Sequence, residues 1–312
     1  MVVAEAVHFD PAEPQDLPGA WAVYLAASDP ASRDATRRPD PSRPEIPPRL
    51  YAHLLATCEG AFWVARAGDQ IVGFAAATSR GTRWFVSELW VAPGFAGRGI
   101  GGELYRLVKR STRGLRGRVR AALAGDDAAS LALGLRDGMQ ARFPVFRVHG
   151  DAAAVERLWT AAAGGGAKRS RLVAYEPRAG APPNSPLNRI DQQVRGEARP
   201  SDHLFWLSDR SRRGFVVWLG KRAVAYFYVS ELGEIGPLAA QGTTGLALGL
   251  RHAVHQAGRR PGPVTLRVPG ACREALEMLL AAGFRLTGGN LLLSTRELVG
   301  LDRYLPGDDS LF

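Results

Sequence analysis

The chain has 312 residues, 46% of them hydrophobic, and a formal net charge of +10. That length corresponds to two ordinary domains, and no uncharged run of about 18 apolar residues is present to span a bilayer. Only Lys109, Lys168 and Lys221 among the 40 basic residues are lysines, and the basic groups RVR, RRPDPSR and RSRR are short and separate. This bias reads as the mark of a GC-rich bacterial genome and not as a nucleic-acid-binding stripe, although the positive field favours polyanions such as a nucleotide cofactor.

The opening MVVAEAVHFDPAEP has no basic segment followed by an apolar core, so no secretion signal is expected. A helix is predicted over about residues 15–27 and another over about 47–57, separated by the Pro/Arg-rich loop 29–48. Residues 61–93 then form three strand-like runs, split by Ala67-Gly68-Asp69 and Arg80-Gly81-Thr82. Turns that short make neighbouring strands antiparallel. Cys58, and later Cys272, lie among apolar residues without metal-ligand spacing, as expected of buried thiols in a reducing cytoplasm. No metal site is expected.

A glycine-rich segment comes next, followed by a helical stripe over 101–111, a strand in GRVRAALA, a helix over 127–139 and a strand in ARFPVFRVHG. The scheme then repeats. Residues 214–240 are again three strand-like runs, 244–258 a helix, GPVTLRVPG a strand, 272–284 a helix and FRLTGGNLLLST a strand. Gly138 aligns on Gly283, and Gly97 on Gly242, at an offset of 145 residues. The expectation is an α/β chain with a mixed sheet, built as two tandem domains over 1–150 and 151–312. Residues 151–202 are expected to be partly linker, because 164–202 has loop composition.

Within SELWVAPGFAGRGIGGELYRLVKR, five glycines fall between residues 94 and 102. So many unencumbered backbone amides before a helix suit phosphate groups. A P-loop is excluded because Glu103 stands where its lysine must be. Gly97, Gly99 and Gly102 match the dinucleotide fingerprint, with Asp126 at a ribose-binding distance. Three hairpin-linked strands precede those glycines, however, and not a βαβ unit.

The order of elements is similar to that of the GNAT acyl-CoA-dependent N-acetyltransferases. Val91-Ala92-Pro93, Phe95 and Gly99-Ile100-Gly101 match that family's acetyl-CoA motif, while Ala96 replaces its usual Gln or Arg. The resemblance covers most of residues 3–149. It implies that the amides of Gly97, Arg98, Gly99, Ile100, Gly101 and Gly102 face the pyrophosphate of acetyl-CoA, with Leu89, Trp90 and Val91 beside the cofactor. In the second repeat the loop AAQGTTGLALG lacks the G-x-G core, so that half is expected to be a degenerate GNAT domain.

The resemblance further implies transfer of an acetyl group to a primary amine of a small molecule or protein, by direct attack. Glu88 occupies the family's base position. Strand alternation puts Glu88 and Trp90 on one face, and Ser87, Leu89 and Val91 on the other. The family's tyrosine acid falls at Gly134 in one repeat and Leu279 in the other, and neither can donate a proton. Ser130 is a substitute, and water is another. The alternative expectation is therefore a non-catalytic acyl-CoA-binding or regulatory module, and a third is a basic nucleic-acid-associated protein. His252 and His255 lack a third metal ligand and are expected to be solvated or packed. The acceptor is expected against residues 29–60, without membrane association, in a cytoplasmic monomer or homodimer.

Overall fold

The computed structural model describes residues 6–28, 49–112, 114, 116–125, 127–161, 170–175 and 184–312. The loop 29–48, Asp126 and the stretch 164–169 lie outside them. The chain divides into two compact units, Met1–Arg118 and Val119–Phe312.

In the first unit, β1 (Val7–Pro11), β2 (Phe62–Ala67), β3 (Gln70–Arg80) and β4 (Arg83–Val91) form an antiparallel meander in that order. The strand-like runs and both turns fall where the sequence pattern puts them. α1 (Leu17–Ser28) and α2 (Arg49–Thr57) cover one face, and α3 (Ile100–Ser111) covers the other. Faces follow from alternation: Phe74 meets Tyr51 of α2, whereas Gly73 lies under α3. A Cβ on Gly73 would stand 3.1 Å from Leu104 and 3.2 Å from Ile100, so this glycine permits α3 to approach. Trp84 is buried beneath the same helix and donates its indole N–H to Thr112 Oγ1 at 2.8 Å.

The second unit contains β5 (Val119–Ala124), β6 (Gln140–Gly150), β7 (Ser170–Tyr175), β8 (Arg212–Leu219), β9 (Arg222–Ser230), β10 (Glu234–Ala240), β11 (Val264–Pro269), β12 (Arg285–Ser294) and β13 (Tyr304–Leu305). Their order is β5-β12-β6-β11-β10-β9-β8-β7, with β13 on β10. β10 and β11 run parallel; the other pairs described are antiparallel. The helices are α4 (Ala128–Arg136), α5 (Ala152–Ala161), α6 (Pro186–Arg195), α7 (Pro200–Leu207), α8 (Gly242–Ala257) and α9 (Arg273–Ala281).

The sequence repeat changes near residue 150, but the compact units divide at Arg118/Val119. Strand exchange explains the difference. β12, the last strand of the second repeat, lies between β5 and β6 of the first, and β6 pairs in turn with β11 of the second. A border drawn by contacts cannot follow a repeat whose final strands are interleaved.

Helix α6 and the start of α7 lie where composition suggested linker. Ser185 caps α6 by accepting the Asn188 amide, Pro186 occupies the first turn, and Leu187, Ile190 and Val194 form its buried stripe. Short polar helices of this kind are masked by Pro, Arg and Gly in their surroundings.

Candidate active site

Strand β4 carries an irregularity that alternation alone did not reveal. Ala76 pairs with Glu88 but Ala77 pairs with Val86, so Ser87 is an extra residue. Its hydroxyl lies 3.2 Å from that of Thr78. The bulge resets the faces, leaving Glu88 and Trp90 on the α1/α2 side and Leu89 and Val91 on the α3 side.

Glu88 is 7% exposed, and the Trp90 indole N–H donates to its Oε2 at 2.5 Å. Around this pair the aromatic rings interlock. Tyr24 meets Trp90 edge-on at 4.9 Å and stacks on Trp21 at 4.8 Å. Trp21 meets Tyr51 edge-on at 5.7 Å, and Tyr51 lies 5.4 Å from Phe74. Tyr51 is 1% exposed, and among the described residues none accepts from or donates to its hydroxyl. Burial, then the Glu88 charge and Tyr24, push its phenol far above the ordinary value.

The strand leads through a short 3-10 turn, Pro93–Phe95, to the glycines. Gly97 and Gly99 adopt φ of 77° and 82°, the left-handed region that a β-carbon disfavours. Gly99 is the N-cap of α3 and offers no side-chain cap. The first backbone bond of that helix runs from the Glu103 amide to the Gly99 carbonyl at 3.1 Å. The amides of Ile100, Gly101 and Gly102 precede it, at the positive end of the helix. Ile100 is buried and anchors the turn. A Cβ on Gly101 would lie 3.6 Å from Val91, so the loop sits against the end of β4.

Gly102 is the informative position. It is not left-handed, and a β-carbon there would meet nothing within 4 Å. Neither backbone geometry nor packing within the chain demands glycine, although glycine in place of alanine costs a helix about 1 kcal/mol. A group that approaches the backbone closely would demand it. Arg98, by contrast, turns back onto the loop. It donates to the Gly94 carbonyl at 2.9 Å and lies 4.9 Å over the Phe95 ring. Glu103 pairs with Arg106, whose hydrogen bond holds the carboxyl below its ordinary range.

The second repeat has the same outline with different contents. β10 also has a register shift, between Ile235 and Leu238, but Leu238 faces α8, where a Cβ on Gly249 would lie 3.8 Å from it, whereas Glu88 faces α1 and α2. Its glycines serve packing. A Cβ on Gly245 would lie 2.7 Å from the Val224 carbonyl, and one on Gly249 would lie 2.9 Å from Ala225. Gln241, the N-cap of α8, is engaged by Arg222 and Gln193. The two positions of the usual tyrosine acid are also filled: a Cβ on Gly134 would come within 2.5 Å of Leu293 of β12, and Leu279 is core. Ser130 lies in the first turn of α4, where its amide bonds to Asp127 at 2.7 Å.

Sequence reasoning missed a buried ionic cluster beneath α6 and α7. Asp191 accepts from Arg199 Nε at 2.9 Å and from the Tyr226 hydroxyl at 2.5 Å, and lies 3.1 Å from His203 Nε2. Arg199 donates to the hydroxyls of Tyr226 and Tyr304, both at 3.0 Å. His203 Nδ1 lies 2.8 Å from the Tyr228 hydroxyl. Burial pushes the Asp191 carboxyl up, but the Arg199 charge, the His203 hydrogen bond and charge and the Arg195 charge outweigh it and hold it well below the usual range. The period-2 run AVAYFYVS, with Tyr226 and Tyr228 in register, is the one trace of this cluster in the sequence. His252 and His255 instead pack on Trp159. No cluster able to hold a metal occurs among the described residues, nor is any described helix long and apolar enough to cross a membrane.

Residues 29–134 match the acetyltransferase (GNAT) family. A Pyrococcus horikoshii protein described as an acetyltransferase candidate superposes with a TM-score of 0.75 at 15% identity, over 100% of this chain and 98% of that one. A GCN5-related N-acetyltransferase from Sphaerobacter thermophilus gives 0.60 at 16%, over 95% and 98%. A tandem GNAT protein from the clavulanic acid biosynthesis pathway gives 0.57 at 18%, over 93% and 98%. At these identities the likeness is one of fold, here that of two tandem GNAT domains. No curated protein matches the sequence. The family match supports acetyl transfer in general terms.

Proposed function

We propose that the chain is an N-acetyltransferase that moves the acetyl group of acetyl-CoA to a primary amine of a small molecule or protein. Residues 1–150 would be the acetyl-CoA-binding half and residues 151–312 a degenerate half, in a bacterial, cytoplasmic monomer or homodimer. The observation that carries this reading is Gly102, a glycine at a helix N-terminus that nothing among the described residues requires.

Acetyl-CoA supplies an activated acetyl thioester. The amides of Gly97, Arg98, Gly99, Ile100, Gly101 and Gly102 hold its pyrophosphate; the inward turn of Arg98 leaves its backbone as the contribution to that site. The β4 backbone at Leu89, Trp90 and Val91 lies alongside, where an N–H polarises a carbonyl. Glu88 takes the proton of the amine, through water or directly, so that nitrogen attacks the acetyl carbon, the carbon–sulfur bond breaks and the CoA thiolate departs to be protonated by water.

Calorimetric titration of acetyl-CoA tests the cradle. The wild type is expected to bind one molecule per chain. Gly99→Glu and Gly102→Glu are each expected to weaken binding at least about 100-fold, a loss of about 2.8 kcal/mol by the tenfold-per-1.4 kcal/mol rule. Gly102→Glu is the cleaner variant. A glutamate in the first turn suits the helix dipole, so its melting temperature should not fall. Absence of wild-type binding would overturn the proposal. The non-catalytic reading draws on Gly134 and Leu279 at the acid positions, and predicts the same binding without turnover on any amine.

A further inference from the structure

Among the described residues the buried Tyr51 hydroxyl, at the first turn of α2 and on the Glu88 face of the sheet, has no hydrogen-bond partner. An unmade hydrogen bond of this kind costs about 1–3 kcal/mol, which a ligand atom able to donate to it would recover. Its surroundings define that partner. Phe74, on which Tyr51 packs, pairs with Trp90, and Ala76 beside it pairs with Glu88. The hydroxyl and the carboxylate therefore belong to one neighbourhood, walled by Trp21, Tyr24 and Trp90. Tyr24 and Trp90 are half-buried and keep accessible ring surface. A carboxylate with aromatic rings nearby suits a cation, which can gain from both.

We propose that Tyr51 is an acceptor-positioning residue whose hydroxyl, together with the Glu88 carboxylate, holds the head of a primary ammonium against the Trp90 and Tyr24 rings. The inference rests on the reading of Glu88 as the base. The ammonium surrenders one proton to Glu88 and a remaining N–H is held by the Tyr51 oxygen. Tyr51 itself keeps its proton, because burial and the neighbouring charge disfavour phenolate. It orients nitrogen and does not titrate. The acceptor class is thus a primary amine with a flat apolar or aromatic neck, cationic on arrival.

The test uses 2-phenylethylammonium as probe and 2-phenylethanol as its neutral analogue, titrated into the full chain with and without saturating CoA. Fluorescence of Trp21 and Trp90 reads binding. Saturable binding of the ammonium to wild type is expected, at least tenfold tighter than that of the alcohol. Tyr51→Phe should weaken the ammonium at least tenfold and leave acetyl-CoA affinity within twofold. Its melting temperature should hold or rise, since an unpaired hydroxyl has been removed. Equal ammonium affinity in the two proteins, or no saturable binding to wild type, would overturn the inference. Loss of acetyl-CoA binding by the wild type would instead overturn the acetyltransferase reading, so the two failures are separable.

Discussion

Glu88→Gln is expected to lower kcat/KM for an amine acceptor by about 10²–10⁴-fold, the usual contribution of a positioned general base. The substitution keeps shape and the hydrogen bond from the Trp90 indole, because the amide oxygen can still accept it. What disappears is a group able to take a proton. Acetyl-CoA affinity, read by calorimetry, should stay within twofold, since the cradle lies on the loop beyond Val91. The effect should fall on kcat more than on KM if proton removal is its origin. Wild-type turnover in the glutamine variant would remove Glu88 from the chemistry and leave it as a buried partner of Trp90.

Asp191→Asn is expected to cost about 3–5 kcal/mol of stability, because it strands a buried guanidinium. Arg199 is enclosed by Asp191, Tyr226, Tyr304 and Trp206; Asp191 pairs with it directly, and the buried Asp202 adds a lesser negative field. The loss is measurable as a fall in the urea midpoint. Replacing both partners, Asp191→Leu with Arg199→Met, should cost much less than the single change, since neither charge is then left alone. Additive losses would show that the cluster is not a coupled unit.

The same pair gives a pH dependence. The folded carboxyl of Asp191 is held well below its ordinary value. Its contribution is therefore complete above the unfolded carboxyl's pKa of about 3.9, and is lost as pH falls below that point, where the unfolded chain takes up a proton and the folded chain does not. Acid unfolding curves of wild type and Asp191→Leu/Arg199→Met should converge below pH 4 on this account.

The acceptor wall and the ionic cluster occupy matching places in the two repeats. In the first, α1 and α2 lie over β3 and β4 and enclose Glu88, Tyr51 and a group of rings. In the second, α6 and α7 lie over β8, β9 and β10, and the space is filled by Asp191, Arg199, His203 and three tyrosines that largely satisfy one another. The second half keeps the fold while its helix α8 buries Gly245 and Gly249 against β9.

The sequence by itself determined the order of elements over residues 61–150 and 214–294. Period-2 runs bounded by Gly turns marked the strands, apolar stripes at helical spacing marked α3 and α8, and the clustered glycines marked the loop before α3. These are local signals, set by side chains within a few residues of one another. It also carried Glu88 and Trp90 to one face, because alternation holds from Glu88 onward. Tertiary structure decided the rest. The bulge at Ser87 depends on pairing with β3, and the exchange of β6 and β12 on partners more than a hundred residues away. The unpaired Tyr51 hydroxyl and the Asp191–Arg199 cluster arise only when helices far apart in sequence close over a sheet, where burial makes each missing or completed hydrogen bond count.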